Sequence, residues 1–296
     1  MAMFDTPTGS ALPPGTMRLR TVRAGRGLAW VRQGLRTFMK QPMAFAALFA
    51  AFMFAVFVLA LLPLVGSLLV LALLPLVTLG FMSATRIATE GGFPTARVFT
   101  EPLRGNRPRA LAVLKLGLVY AAATFAVMWL SDWVDGGAFE ALMQVMPAGE
   151  KAAPVDLATR LAAPGLATGM LLRFGLAGVL AVPFWHAPAL VLWGGQGAAQ
   201  ALFSSTLACW RNRGAFAVYF FSWFAIVMSA SLIGSLLLML LGQPQMMMGT
   251  IVPLALIVGT MFYASLYFTF ADCFVSDDGD ALTAAPANHP TTEEPL

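Results

Sequence analysis

Charged residues are absent from long stretches of this chain. No Asp, Glu, Lys or Arg lies between Lys40 and Arg86, a run of 45 residues. As a single helix rising about 1.5 Å per residue, this run would measure roughly 68 Å, whereas the hydrocarbon core of a bilayer is about 30 Å thick. The run therefore predicts two membrane-spanning helices with a tight turn at Pro63 and Gly66 between them.

Further apolar runs predict four more spans. None shows the alternating pattern of barrel strands, and lipid offers backbone groups no partner outside a helix or a closed barrel. We therefore predict an all-α, polytopic integral membrane protein with six transmembrane helices and additional interfacial amphipathic helices. The predicted spans cover about residues 44–62, 65–84, 110–130, 174–193, 215–241 and 251–270.

These spans form one predicted membrane domain over residues 18–276. The proline-containing N-terminal tail, residues 1–17, and the acidic C-terminal tail, residues 277–296, are predicted to be disordered, because neither offers enough apolar surface to fold.

The basic residues are distributed unevenly among the connections. Three segments carry 14 of the 18 Lys and Arg residues: the one before the first span, the second connection and the fourth connection. Six spans place all three on one side, and short basic loops stay in the cytoplasm. The pattern predicts cytoplasmic termini. The first apolar run begins some 40 residues into the chain and continues into a second span, so it is predicted to act as an uncleaved signal anchor.

Composition excludes several classes of protein. With 59% hydrophobic and 11% charged residues, the chain lacks the polar surface of a soluble enzyme. Its net charge of +4 is explained by membrane topology, so nucleic acid is not an expected partner.

A different periodicity precedes the first span. Leu28, Val31, Leu35 and Phe38 recur at three and four positions, which predicts a helix over 26–40 lying at the membrane interface with Trp30 as an anchor. This helix is either a simple topological anchor or a site that recognises anionic phospholipid. The candidate lipid contacts are Arg26, Arg32, Arg36, Lys40, Arg211 and Arg213.

Two connections share a layout. Gly91 and Gly92 follow the second span, Gly194 and Gly195 follow the fourth, and each pair precedes a predicted interfacial helix. A duplicated helix, glycine elbow and helix unit is a plausible interpretation.

The fourth span contains His186 between Pro183 and Pro188, so a kink or a break is expected there. An ionisable group inside a membrane is a candidate for binding or gating. The alternatives are a hydrogen-bonded structural histidine and, as a third interpretation, metal binding or catalysis.

Arg173 is predicted at the outer end of the fourth span, on the side of the membrane where the third span also ends. It pairs with Asp132 or Asp135 as a structural ion pair, or it snorkels to the membrane surface without a partner.

No Ser/His/Asp or Cys/His arrangement, phosphate-binding loop or metal-ligand spacing occurs in the sequence, and no acidic residue falls within the predicted spans. We therefore expect no cofactor and no enzymatic activity. The leading hypothesis is a protein that organises the membrane or envelope through contacts with lipid or with protein partners that the sequence does not name. The alternative is a small-solute transporter or channel with its site at the kinked fourth helix, and a membrane-bound enzyme ranks third.

Several segments carry a resemblance: TVRAGRGLAWVRQGL, GFMSATRIATEGGFPTARVFTEPLR, LSDWVDGG, VPFWHAPALVLWGGQGAAQALFSSTLACWRNRGAF and FYASLYFTFADCF. Over most of residues 18–276 the chain resembles a family of uncharacterised proteobacterial six-helix inner-membrane proteins. More loosely, it is similar to bacterial six-helix membrane domains that include one fused to some glycerophosphodiester phosphodiesterases. The resemblance implies a multi-pass protein of the bacterial inner (plasma) membrane and supplies no activity, substrate or catalytic residue.

Overall fold

The computed structural model describes residues 17–63, 65–104, 106–145, 154–243 and 246–276. Two short strands, β1 (Met17–Leu19) and β2 (Phe274–Ser276), pair antiparallel. The helices are α1 (Arg26–Lys40), α2 (Pro42–Ala60), α3 (Gly66–Thr89), α4 (Arg107–Asp135), α5 (Ala138–Val145), α6 (Pro154–Leu161), α7 (Leu166–Phe184), α8 (Ala187–Leu192), α9 (Ala198–Arg211), α10 (Arg213–Leu240) and α11 (Met247–Cys273). The tails predicted to be disordered lie outside the described residues, except for Met17 in β1.

Six helical segments of the described chain are long and apolar enough to cross a membrane, which confirms the predicted architecture. They are Pro42–Ala60, Gly66–Thr89, Arg107–Asp135, Leu166–Leu192, Arg213–Leu240 and Pro253–Cys273. We call the end of the bundle that holds β1, β2, α1 and α9 the basic end, and the end that holds α5 and α6 the far end.

The helices extend beyond the predicted spans, because hydropathy marks only the most apolar part of each helix. In α4 the Asn106 side chain accepts a hydrogen bond from the Arg109 amide at the first turn, and Gly136, with φ of 62°, ends the helix. The prediction that no acidic residue lies within a span is therefore wrong. Asp132 and Asp135 belong to the last turn of α4, and Asp272 belongs to the last turn of α11.

Close helix packing depends on glycine, as two contacts illustrate. A Cβ atom on Gly34 of α1 would lie 2.4 Å from Ser265 Cβ of α11, and one on Gly117 of α4 would lie 2.1 Å from the Ala72 carbonyl oxygen of α3. Both distances are below van der Waals contact, so no larger residue fits without separating the helices. In membranes, where water does not drive helix association, such close approach is a main source of packing energy.

The two glycine elbows lead to different structures. After α3 the chain forms two short 3-10 helices, Ala96–Phe99 and Glu101–Leu103, instead of the predicted helix. Pro102 has no backbone N–H to donate to the Val98 carbonyl oxygen, so an α-helix that began at Ala96 would lose a hydrogen bond at this position. After α8 the predicted helix is present as α9.

Helix α10 packs at the margin of the bundle. Within the most apolar 18 residues of each helix, only 6% of α10 is buried in the protein, whereas 44% of α3 is buried. Its first turns are held by α1: a Cβ atom on Gly27 would lie 2.1 Å from the Ala215 carbonyl oxygen, and Trp30 contacts the ring of Phe216. Most of the remaining length of α10 therefore faces lipid or the grooves described below.

Candidate functional site

The fourth span breaks at His186. Helix α7 ends at Phe184 and α8 begins at Ala187. In an unbroken helix the His186 amide would donate to the Val182 carbonyl oxygen. Instead it donates to Ser205 Oγ of α9 at 3.0 Å, and Ser205 Oγ donates to that carbonyl oxygen, also at 3.0 Å. A hydroxyl group from α9 is thus inserted into the helical hydrogen-bond ladder.

The His186 side chain is fully buried. Its Nε2 lies 3.1 Å from Thr269 Oγ1, and Nδ1 has no hydrogen-bond partner among the residues that the structure describes. The rings of Phe216, Phe270 and Phe274 surround it. His186, Pro183 and Pro188 line none of four cavities that the described residues form. His186 is thus a buried side chain with one hydrogen-bonded ring nitrogen, and a structural, binding or gating role stays a prediction.

Asp272 joins α1 to α11 at the basic end. Its carboxylate accepts hydrogen bonds from Arg26 Nε and Nη2, each at 2.7 Å, and from Trp30 Nε1 at 2.6 Å. Trp30 is fully buried. Trp30 is therefore a buried residue and not the interfacial anchor that the sequence predicted. Arg26 is engaged by Asp272 but remains 42% exposed, so its contact with lipid stays a prediction.

The other cations proposed as lipid contacts are exposed. Arg32, Arg36 and Lys40 lie on one side of α1, and Arg211 and Arg213 flank the junction of α9 and α10. No acidic group in the described part of the chain lies within salt-bridge distance of these five side chains. The Arg213 guanidinium lies 5.7 Å from the centroid of the Trp210 ring. These cations remain available to anionic groups at the membrane surface.

Arg173 connects α7 to the end of α4. It forms an ion pair with Asp132 and lies 3.8 Å from Asp135, and its guanidinium lies 3.9 Å from the centroid of the Phe139 ring. The Arg173 side chain is only 11% exposed and that of Asp135 is fully buried. The structure thus places these residues together at the far end, with Arg173 directed at the carboxylates.

A large apolar groove opens between α7, α9 and α10. This basic-end groove has a volume of about 730 Å³ and is lined mainly by aromatic and small side chains, among them Gly178, Ala181, Trp185 and Trp223. Arg213 is the only charged residue in its lining as the structure describes it. The groove therefore combines an apolar interior with one exposed cation.

A second groove continues along the same helix toward the far end. This far-end groove, of about 550 Å³, lies between α10 and α11 and is lined by uncharged residues, including Ala230, Gly234, Ala255 and Gly259. Trp223, Val227 and Phe262 line both grooves. Neither groove is predicted by the sequence, because apolar and small residues on α10 carry no signal that separates a groove from ordinary lipid contact.

The described residues include few side chains that could react as nucleophiles or bind a metal ion. Cys209 and Cys273 are buried free thiols, and burial raises the pKa of the Cys209 thiol to about 12, with nearby Cys273 adding to the shift. Within the ranges that the structure describes, no three His, Cys, Asp or Glu side chains are grouped so that they could hold a metal ion.

Comparison with curated proteins identifies a relative from Burkholderia thailandensis that is described as a probable inner membrane protein. It is 33% identical to this chain over 259 residues, which cover 87% of this chain and 94% of the relative. No family model and no solved structure matches the chain. The relative and the six apolar helices agree with the resemblance found in the sequence. The chain therefore belongs to the family of this probable inner membrane protein.

Proposed function

We propose that the protein binds anionic phospholipid of the cytoplasmic leaflet and acts, without enzymatic activity, in the organisation of the inner membrane. The observation that carries this proposal is the basic-end groove. Its apolar lining suits an acyl chain, and Arg213 stands where a phosphate group would lie. A cation near an anionic lipid surface contributes about 1 kcal/mol to binding.

The basic end is proposed to face the cytoplasm. Arg32, Arg36, Lys40 and Arg211 add exposed positive charge on α1 and α9, which lie at the basic end, and basic segments are retained on the cytoplasmic side. Cysteines introduced at exposed Arg97 of the basic end and at exposed Glu140 of the far end test this orientation. Labelling of intact cells by an impermeant maleimide should reach position 140 only, and the reverse pattern would invert the topology.

The non-enzymatic part of the proposal is supported by the state of the polar groups. The Ser205 hydroxyl is occupied by two hydrogen bonds to backbone, and the thiol of Cys209 is neutral at physiological pH because burial raises its pKa. Neither is an activated nucleophile. The transporter alternative depends on His186, which lines none of the four cavities described above.

Lipid binding is tested by native mass spectrometry of the purified protein in nanodiscs that contain equal amounts of phosphatidylglycerol and phosphatidylcholine. Wild type should retain phosphatidylglycerol preferentially, and Arg213→Glu should weaken that preference about fivefold or more. Arg97→Glu changes the net charge equally, but Arg97 does not line the groove, so it should have a smaller effect. Equal effects of the two substitutions would contradict a lipid site in the groove.

A further inference from the structure

One face of α10 lines both grooves. Arg213, Ala217 and Phe220 line the basic-end groove, and Ala230 and Gly234 line the far-end groove. Steps of three and four residues keep these positions on one side of a helix. From Arg213 to Gly234 the helix rises about 32 Å, which equals the thickness of a bilayer core, about 30 Å.

The two grooves meet near the middle of this face. Both grooves are lined by Trp223 and Val227 of α10 and by Phe262 of α11. The ring centroids of Trp223 and Phe262 are 5.7 Å apart. On the basic side of this meeting point α7 completes the groove, and on the far side α11 does so. The two grooves therefore adjoin at these residues, and together they form an apolar path along this face of α10.

Charge is present at one end of this path only. Arg213 lines the basic-end groove, whereas every residue that lines the far-end groove is uncharged. Two anionic lipids, one from each leaflet, would need a cation at each end. The path instead matches one anionic group joined to one long apolar chain.

We infer that the occupant of this path is a long-chain polyprenyl phosphate, with its phosphate at Arg213 and its chain continuing into the far-end groove. An acyl chain of a phospholipid reaches the middle of the bilayer, about 15 Å from the core surface, and fills one groove only. A polyprenyl chain longer than one leaflet fills both. This inference rests on the proposed lipid-binding function and names the lipid class that the same site prefers.

Each groove has a glycine at which a larger side chain can fill the groove without disturbing the helix packing. A Cβ atom on Gly178 or on Gly234 would meet no atom within 4 Å, so a leucine at either position projects from the helix without a backbone clash. Gly175 lies one turn from Gly178 on α7, is equally open and lines neither groove, so it provides a matched control.

The test is a competition monitored by native mass spectrometry, with the full-length protein in mixed micelles. The probes are a long-chain polyprenyl phosphate, farnesyl phosphate, which has the same head group on a short chain, and phosphatidylglycerol. Wild type should retain the long-chain phosphate in preference to both competitors. Gly234→Leu should lose the preference for the long over the short chain and still bind phosphatidylglycerol, and Ala230→Leu should reproduce this loss.

Gly178→Leu should weaken retention of all three probes, and Gly175→Leu should leave all three unchanged. Retention of phosphatidylglycerol that depends on Arg213, with no advantage of the long chain, would overturn this inference and leave the proposed function standing. Retention of every probe unchanged by Arg213→Glu would overturn the proposed function itself. A dimer that Gly234→Leu converts to a monomer would identify the far-end groove as an interface between copies and would also overturn the inference.

Discussion

Ser205 provides a direct test of how the fourth span tolerates its break. Its hydroxyl accepts a hydrogen bond from the His186 amide and donates one to the Val182 carbonyl oxygen. Ser205→Ala removes both hydrogen bonds and replaces the hydroxyl by a hydrogen atom. The His186 amide then has no hydrogen-bond partner among the described residues, whereas the Val182 carbonyl oxygen still accepts from the Trp185 amide at 3.4 Å.

The magnitude follows from the burial of these groups. Ser205 is fully buried, so water does not replace the missing hydroxyl. An unsatisfied buried backbone group costs about 1–3 kcal/mol. One such group is created, the His186 amide, because the Val182 carbonyl oxygen still accepts from the Trp185 amide at 3.4 Å and from Cys209 Sγ at 3.8 Å. We therefore expect a loss of about 2 kcal/mol in the free energy of unfolding, or about 30-fold in the equilibrium constant.

Two assays measure this effect. Unfolding in mixed micelles of increasing SDS content, followed by tryptophan fluorescence, reports the change in stability. Hydrogen exchange of the peptide that contains His186, read by mass spectrometry, reports loss of protection at the break itself.

Ser204→Ala is the matched control, because Ser204 is the neighbouring residue on α9 and lies away from the break. Equal stability and equal exchange in the Ser204 and Ser205 variants would refute the bridging role. Ser205→Thr keeps the hydroxyl and should retain most of the protection at His186.

Three further predictions concern other contacts. Asp272→Ala should lower the unfolding free energy by about 3 kcal/mol, because it leaves Arg26 and the Trp30 indole without their acceptor. Glu90→Ala, which removes the exposed pair with Arg86, should cost less than about 1 kcal/mol, and thermal unfolding in detergent compares the two variants. Gly117→Val should lower stability by about 1–3 kcal/mol or more, because its side chain meets the Ala72 carbonyl oxygen, while Gly175→Val meets open space and should show a smaller change in the same assay. Burial raises the pKa of the Cys209 thiol from 9.0 to about 12, so Cys209 should react with maleimide at pH 8 roughly a thousandfold more slowly in the folded protein than in the SDS-unfolded chain. A labelling rate at the Cys209 peptide of the folded protein that does not rise with pH would contradict the raised pKa.

The sign of the pH effect on stability follows from the same shift. The unfolded thiol of Cys209 ionises near pH 9, whereas the folded thiol stays protonated until about pH 12. Its contribution to stability is therefore complete below pH 9 and decreases as the pH rises through this interval.

Local patterns in the sequence were enough to predict the six spans and α1. Hydropathy depends on neighbouring residues along one helix, and the alternation of Leu28, Val31, Leu35 and Phe38 with cations fixes one face of α1. The α1 boundaries, Arg26–Lys40, agree with the predicted range. Helix ends were less accurate, since capping by Asn106 and Gly136 depends on side-chain and backbone geometry beyond hydropathy.

Pairings between distant residues could not be predicted from local patterns. Arg26 and Asp272 are 246 positions apart, and each alone is typical of a membrane-surface charge. Their hydrogen bonds exist because α1 packs across the end of α11, with Gly34 against Ser265. That contact placed the expected interfacial tryptophan in the protein interior and gave the expected lipid ligand, Arg26, an acidic partner within the chain.

By itself, the sequence determined that this protein spans the membrane with six helices and where its positive charge lies, because the bilayer selects apolar helices and the loops hold the cations. Tertiary structure alone decided where α10 leaves a groove. Inside a bilayer, helix faces toward lipid and toward protein are both apolar, so periodicity cannot tell them apart. Only the separation of α10 from α7 and α11 reveals the path that ends at Arg213.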